Sequence, residues 1–317
     1  MPDPQVSHVR CCWCGEPLRR TGPTAFWMCW TPACYQRACV WALTVAERRA
    51  DGTIGDRVHS WLFAPTPRQT EFYEQTRRTK YTLFGGAKAV AKSYAARWGL
   101  YRDCLRFPGL RCLLLRRTFG ELEATHLLDM PGEAETLKLV GATFAKSDRE
   151  FRLGRGSLIK AGHCETEADV SKHLSTQWDR IVFDELVTFE CDMALAIMSC
   201  ARAVKPDVIA DGGALVWGVT NPGGRGAHWI KEFFVEHVVD SERFPAYDPS
   251  VWGAVLGTVE DNPYMEPGYR KTLENLPPIL RRQWLYGDWE AFEGQFFDFA
   301  SQRGGQPWHV ADLGLVA

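Results

Sequence analysis

The sequence has no apolar run approaching the roughly 20 residues a helix needs to cross a bilayer, and its opening, MPDPQVSHVR, holds no apolar signal core. A soluble protein that is not exported by that route is expected. It also has little net charge, −2 at pH 7, so no global excess of basic residues advertises nucleic acid, although a basic face can hide inside a neutral total. Internal repeats and low-complexity tracts are absent. Apolar residues are not scarce: 45% of the 317 residues are hydrophobic, which argues against disorder and suffices for one large core plus a small satellite. Of 11 cysteines, six fall between Cys11 and Cys39, a clustering that suits a metal site in a reducing compartment better than a disulfide framework.

Residues 1–48 form a head rich in cysteine and tryptophan, and residues 49–64, with Asp51, Gly52 and Gly55, read as a connector. From residue 65 the texture changes. The apolar run Tyr81–Phe84 is followed by a helix from Ser93, and Leu110–Leu115 by a helical stretch from about Glu121. Ile181–Phe183 precedes a helix around Met193–Ala203, and Leu215–Val219 precedes another from about His228. Such alternation predicts an α/β fold with a mostly parallel central sheet flanked by helices, whose ligands bind beyond the carboxyl ends of the strands. FRLGRGSLIKAG at 151–162 reads as a hairpin bracketed by Gly154 and Gly156. Residues 65–257 then form the main domain. Residues 258–317, rich in proline, glycine and aromatics, form a smaller subdomain or lid that runs into a linker.

YTLFGGAKAVAKS, residues 81–93, has the layout of a nucleotide-phosphate cradle: a strand, two glycines, then a Lys-Ser pair opening a helix. In the pattern GxxxxGK[ST], backbone N–H groups surround the phosphates, the lysine reaches the β and γ oxygens, and the hydroxyl ligates Mg²⁺. Gly86, Lys92 and Ser93 fit. Ala91 stands in place of the second glycine, where a Cβ should crowd the turn and favour negative φ. The ATP-binding segment expected is Gly85, Gly86, Ala87, Lys88, Ala89, Val90, Ala91, Lys92 and Ser93, slightly strained at Ala89 and Ala91. A Gly-Gly hairpin, or a helix start with a solvated lysine, is the plainer reading of this segment alone.

WDRIVFDEL, residues 178–186, is an apolar strand ending in two carboxylates. Asp184 is placed to hold Mg²⁺ and Glu185 to polarise the attacking water. ALVWGVTNPGG, residues 214–224, ends another strand in Thr220 and Asn221, positioned to sense the γ-phosphate and pass the change on. Upstream, the Gln69 amide offers one donor and one acceptor, as an adenine edge requires. Each has an ordinary alternative: a surface acidic pair, a turn, a surface glutamine. Phosphoryl transfer also needs positive charge on the transition state, for which Arg116 and Arg117 at the end of the second strand, or Arg149, Arg152 or Arg155 on the hairpin, are candidates.

In the head, Cys11, Cys14, Cys29 and Cys34 give the spacing CxxC-x14-CxxxxC. Paired knuckles aim thiolates at one point, as tetrahedral structural Zn²⁺ requires. Cys12, Cys39 or His8 can replace one of the four, and buried free thiols are the alternative to a metal.

Together, Gln69 in PTPRQTEFY, GGAKAVAKS, LLLRRTFGELE (113–123), GHCETEADV (162–170), IVFDE (181–185), VTNPGG (219–224), TVEDNPYMEPGYRKTLENLP (258–277) and LYGDWEAFEGQFF (285–297) resemble, in order and spacing, the large terminase subunit of tailed bacteriophages. The likeness runs from about residue 65 to about residue 297. It implies a P-loop ATPase that drives double-stranded DNA into a procapsid, as a homo-oligomeric ring docked on the portal protein and served by the small terminase subunit. The setting it implies is the cytoplasm of an infected bacterial host, with no membrane partner. In the family, residues matching Lys92 and Ser93 bind phosphates and Mg²⁺, those matching Asp184 and Glu185 bind metal and activate water, and the Thr-Asn pair matching Thr220 and Asn221 couples hydrolysis to movement. A small residue other than glycine is tolerated where Ala91 stands. A complete member continues into an RNase H-like nuclease; this sequence ends at Ala317, so DNA cleavage is not expected of it. Two other functions remain open: a zinc-ribbon scaffold or binding protein with a decayed nucleotide site, suggested by Ala89 and Ala91, and a helicase-like DNA translocase.

Overall fold

The computed structural model describes residues 65–153 and 156–291 and, before them, the backbone of five strands. These are β1 (Val6–Arg10), β2 (Pro17–Arg20), β3 (Phe26–Met28), β4 (Trp41–Arg48) and β5 (Ile54–Phe63), paired in chain order as an antiparallel sheet. The order puts the β1–β2 and β3–β4 connections at one end of that sheet. Within residues 49–64, read as a connector, lies β5, which pairs with β4. The Asp51-Gly52 pair, which reads as linker punctuation, falls between two paired strands, where such a dipeptide is a hairpin signal.

The main sheet contains β6 (Tyr81–Gly86), β7 (Arg111–Arg116), β8 (Thr143–Ala145), β9 (Glu150–Leu153), β10 (Ser157–His163), β11 (Arg180–Asp184), β12 (Leu215–Val219) and β13 (Trp252–Gly257), in the order β13-β6-β12-β11-β7-β10-β9-β8. From β13 across to β10 all neighbours are parallel; β9 and β8 continue antiparallel, β9 and β10 being the hairpin expected at 151–162. Two helices differ in detail from the sequence pattern. The one expected at Met193–Ala203 covers Cys191–Met198, because the backbone of Cys200 and Arg202 pairs with Trp178 instead. The one expected from His228 is a single turn, Ala227–Ile230, running into a π-helix, Lys231–Glu236.

Burial on both faces explains the near-continuous apolar runs in the strands. Successive residues alternate between two cores: Phe84, Leu114, Val182 and Trp217 on one side, Leu83, Leu115, Phe183 and Val216 on the other. The helix Lys92–Arg106 lies close against the first of these. A Cβ at Gly99 would stand 2.9 Å from the Tyr73 ring and 3.1 Å from Trp217.

That helix is also pinned electrostatically. Arg180, 1% exposed at the start of β11, sets its Nε 2.7 Å from Asp103 Oδ2, and Arg102 lies 2.7 Å from the other oxygen. Burial pushes the Asp103 carboxyl pKa up, but the two guanidiniums outweigh it and bring the value down from 3.8 to about 2. A depressed folded-state value means that the contribution to stability is complete above pH 3.8 and lost as pH falls through about 2. Asp103→Ala is therefore expected to lower the unfolding free energy by about 3–5 kcal/mol, since two buried cations lose their shared carboxylate. Urea unfolding at neutral pH measures that loss, and acid titration of wild type and variant should show a weaker pH dependence for the variant between pH 4 and 2.

Candidate active site

Four neighbouring strands bring polar groups to one edge of the sheet. β6 runs into the glycine loop, β12 into Thr220 and Asn221, β11 into Asp184 and Glu185, and β7 into Arg116. Because β12 lies between β6 and β11, its end is wedged between the loop and the acidic pair.

The loop is shaped by close backbone approach. Gly86 has φ +113°, and a Cβ on it would stand 2.1 Å from the Gly257 carbonyl oxygen. The Ala87 N–H donates to that carbonyl at 2.9 Å, and the Lys88 N–H donates to the Trp284 carbonyl at 2.7 Å. Asn262 Nδ2 donates to Ala89 O at 2.6 Å. Gly287 (φ +68°) packs so tightly that a Cβ there would be 2.8 Å from the Ala87 nitrogen, and Trp289 is buried beside Gly85. The segments around Asn262 and Gly287 are thus struts of the loop.

Ala91 has φ +58° and Ala89 φ +64°. The negative φ expected at Ala91 is not found; the turn imposes the glycine conformation on a residue with a Cβ. Ala91 is the N-cap of the helix Lys92–Arg106, whose first-turn N–H groups have no acceptors inside the helix. Gln69 is 3% exposed, with its oxygen accepting from the Thr66 N–H at 3.0 Å in a capping box and its Nε2 donating to Ala91 O at 3.3 Å. Both amide functions are engaged, the oxygen in capping its own helix and the nitrogen in buttressing the loop.

Lys92 is 8% exposed and donates to Ala87 O at 2.6 Å. Burial lowers its pKa from 10.5 to about 8, against the pull of Glu185 and Asp184. Ser93 Oγ donates to Asp184 Oδ1 at 2.6 Å. Asp184 Oδ2 lies 2.9 Å from His126 Nε2 and 3.4 Å from Arg116 Nη1. Burial raises the Asp184 pKa, but His126, Arg116 and Ser93 together bring it from 3.8 down to about 2. Glu185, in a left-handed conformation (φ +57°), accepts from Thr220 Oγ1 at 3.3 Å. Burial and the adjacent Asp184 raise its pKa, with Lys92 and Arg116 opposing. Asn221 Nδ2 donates to Gly86 O at 2.7 Å. An open cavity of about 300 Å³ is lined by Lys88, Lys92, Ser93, Tyr94, Glu185, Asn221 and Tyr269.

The arginine candidates separate. Arg116 stands 4.0 Å from Glu185, whereas Arg117 donates to the Cys164 carbonyl and lines a different cavity. Arg149 lies over the Phe119 ring, Arg152 pairs with Glu150, and Arg155 lies outside the described residues. Cys11, Cys14, Cys29 and Cys34 lie outside them too. His126 and Arg97 carried no sequence signal of their own, although Arg97 follows Ser93 by four residues and so shares its helix face. The oxygen pair of Ser93 and Asp184 suits Mg²⁺, a hard cation held by few protein oxygens plus phosphates and water.

A glycine-containing loop at the carboxyl edge of a mostly parallel sheet, with an acidic strand end two strands away, belongs to an α/β fold with its candidate site beyond the strand ends. The fold is similar to that of a phage large terminase. The large terminase of a thermophilic bacteriophage superposes with a TM-score of 0.54 at 14% identity, over 72% of this chain and 54% of the terminase. The same protein in complex with ATP-gamma-S gives 0.53 at 13% identity over 71% and 53%, and in complex with ADP 0.53 at 14% over 71% and 53%. The chain spans about half the length of these terminases. No protein-family model matches the sequence, and none of the curated proteins does.

The two left-handed alanines yield a test. Such a backbone costs a residue with a Cβ about 1–2 kcal/mol, while glycine costs about 0.5–1 kcal/mol in chain entropy. Ala91→Gly should therefore leave stability unchanged or raise it by up to about 1.5 kcal/mol, and Ala91→Val should lower it, as read by thermal unfolding.

Proposed function

We propose that this chain hydrolyses ATP and uses the energy to move double-stranded DNA into a procapsid. The observation that carries the reading is the convergence of Lys92, Ser93, Asp184, Glu185, Thr220 and Asn221 on one sheet edge, in a fold shared with a large terminase. On this reading Lys92 leaves the Ala87 carbonyl for the phosphates, and Glu185 accepts the proton of the attacking water. Its raised pKa and its hydrogen bond from Thr220 suit it to that task. Ser93 and Asp184 would hold Mg²⁺, which supplies neutralising charge to the phosphates when bound. Arg116, beside both carboxylates, is the better placed of the two strand-end arginines to steady them. Thr220 and Asn221 bridge Glu185 and the Gly86 carbonyl, so a change at either is felt by both.

The same reading includes a homo-oligomeric ring, the portal protein and the small terminase subunit as partners, and the cytoplasm of the bacterial host as its place. No helix among the described residues is long and apolar enough to cross a membrane. In the head, Cys11 and Cys14 belong to the β1–β2 connection, and Cys29 and Cys34 to the β3–β4 connection. The spacing CxxC-x14-CxxxxC is what the reading of a shared structural Zn²⁺ rests on.

ATP turnover with DNA and procapsid components present tests the motor. Glu185→Gln should reduce it by about 10²–10⁴-fold while nucleotide still binds; wild-type turnover no higher than background would refute the proposal. For the head, elemental analysis should find one zinc per chain in the wild type and none after Cys14→Ser with Cys29→Ser.

A further inference from the structure

The oxygen of Asp184 that does not face Ser93 is committed to a buried chain of side chains. His126 opens the helix His126–Thr136 and is wholly buried. Its Nε2 is 2.9 Å from Asp184 Oδ2, and its Nδ1 is 3.0 Å from Nη1 of Arg97. A guanidinium has donors only. Nδ1 must therefore accept, and the ring carries its proton on Nε2, aimed at Asp184. Arg97 is fixed in turn by Glu133, at 2.9 Å from Nε to Oε2 and from Nη2 to Oε1, and by Asp129 at 2.6 Å. Because Arg97 sits one turn beyond Ser93, the chain returns to the helix that carries the loop hydroxyl.

We propose that His126 is a positioning residue for the Asp184 carboxylate. Arg97 sets its tautomer, and the resulting N–H···O bond holds Oδ2, so that Oδ1 stays with Ser93 on the side where a divalent cation would be held. The inference rests on the reading of Ser93 and Asp184 as the metal-holding pair. Hydrogen-bond partners of ligating carboxylates typically matter by about 10–100-fold in metal affinity or activity. A histidine that merely filled space would not set the cation requirement.

The experiment uses the whole chain as wild type, His126→Ala and His126→Gln, with a fluorescent ATP analogue titrated with and without Mg²⁺. His126→Ala is expected to raise the Mg²⁺ concentration for half-maximal binding by about 10–100-fold, with affinity in chelator unchanged. His126→Gln, whose amide can accept from Arg97 and donate to Asp184, is expected to recover most of the loss. A second readout needs neither metal nor nucleotide: imidazole nitrogen NMR of the wild type, with His126→Gln assigning His126 among the 8 histidines, is expected to show a bare Nδ1 and a protonated Nε2. An Nδ1–H tautomer, or an unchanged Mg²⁺ dependence in folded His126→Ala, overturns the proposal. Wild-type protein that shows no Mg²⁺-dependent binding refutes the ATP reading instead, and the nitrogen spectrum then still decides the His126–Asp184 contact.

Discussion

The Asp184 carboxylate is the joint on which the site depends. One oxygen takes the Ser93 hydroxyl and the other faces His126 and Arg116, so a single side chain ties the loop helix, the helix from His126 and the strand β7 to the end of β11. It is 2% exposed, and only the donors around it make a buried charge tolerable. Its neighbour Glu185 lives in the opposite regime. Burial and the neighbouring Asp184 push it toward holding a proton.

The loop itself is held from outside. Two of its residues sit in a left-handed backbone without being glycine, and a conformation of that kind persists where the surroundings over-determine it. Here they do. Gln69 and Asn262 hold the Ala91 and Ala89 carbonyls, Gly257 and Trp284 accept from the loop amides, and Gly287 leans on its backbone. Lys88 places its ammonium 3.2 Å from the centre of the Trp284 ring, so the helix Pro278–Leu285 touches the loop by backbone and side chain alike. Gly223, just beyond Thr220 and Asn221, has no room for a Cβ because Gln283 of that same helix lies against it. The loop, the strand-end pair and the helix Pro278–Leu285 thus form one packed unit.

What can be read in the sequence is local chemistry. Lys92, Ser93, Asp184 and Glu185 stand out because a strand followed by a polar turn is a contiguous pattern, and the alternating strands and helices are written in runs of apolar residues. The hairpin at 151–162 is legible for the same reason. Partnerships across the fold are not. His126 sits in THLLD, which carries no pattern, and gains its role only when its helix crosses beside β11. Gln69 reads as a surface residue until Thr66 and the loop close over it. The left-handed φ at Ala91 goes with a carbonyl held by Gln69, far upstream in the chain, and β5 reads as a connector because its pairing with β4 is not visible in composition.

The most direct test is a structure of this chain with Mg²⁺ and ATP-gamma-S. The account predicts phosphates among the residues 86–93, Lys92 Nζ moved from the Ala87 carbonyl onto a phosphate oxygen, and Ser93 and Asp184 on either side of the metal. Nucleotide bound elsewhere, or Lys92 still on the Ala87 carbonyl beside a bound nucleotide, would contradict it.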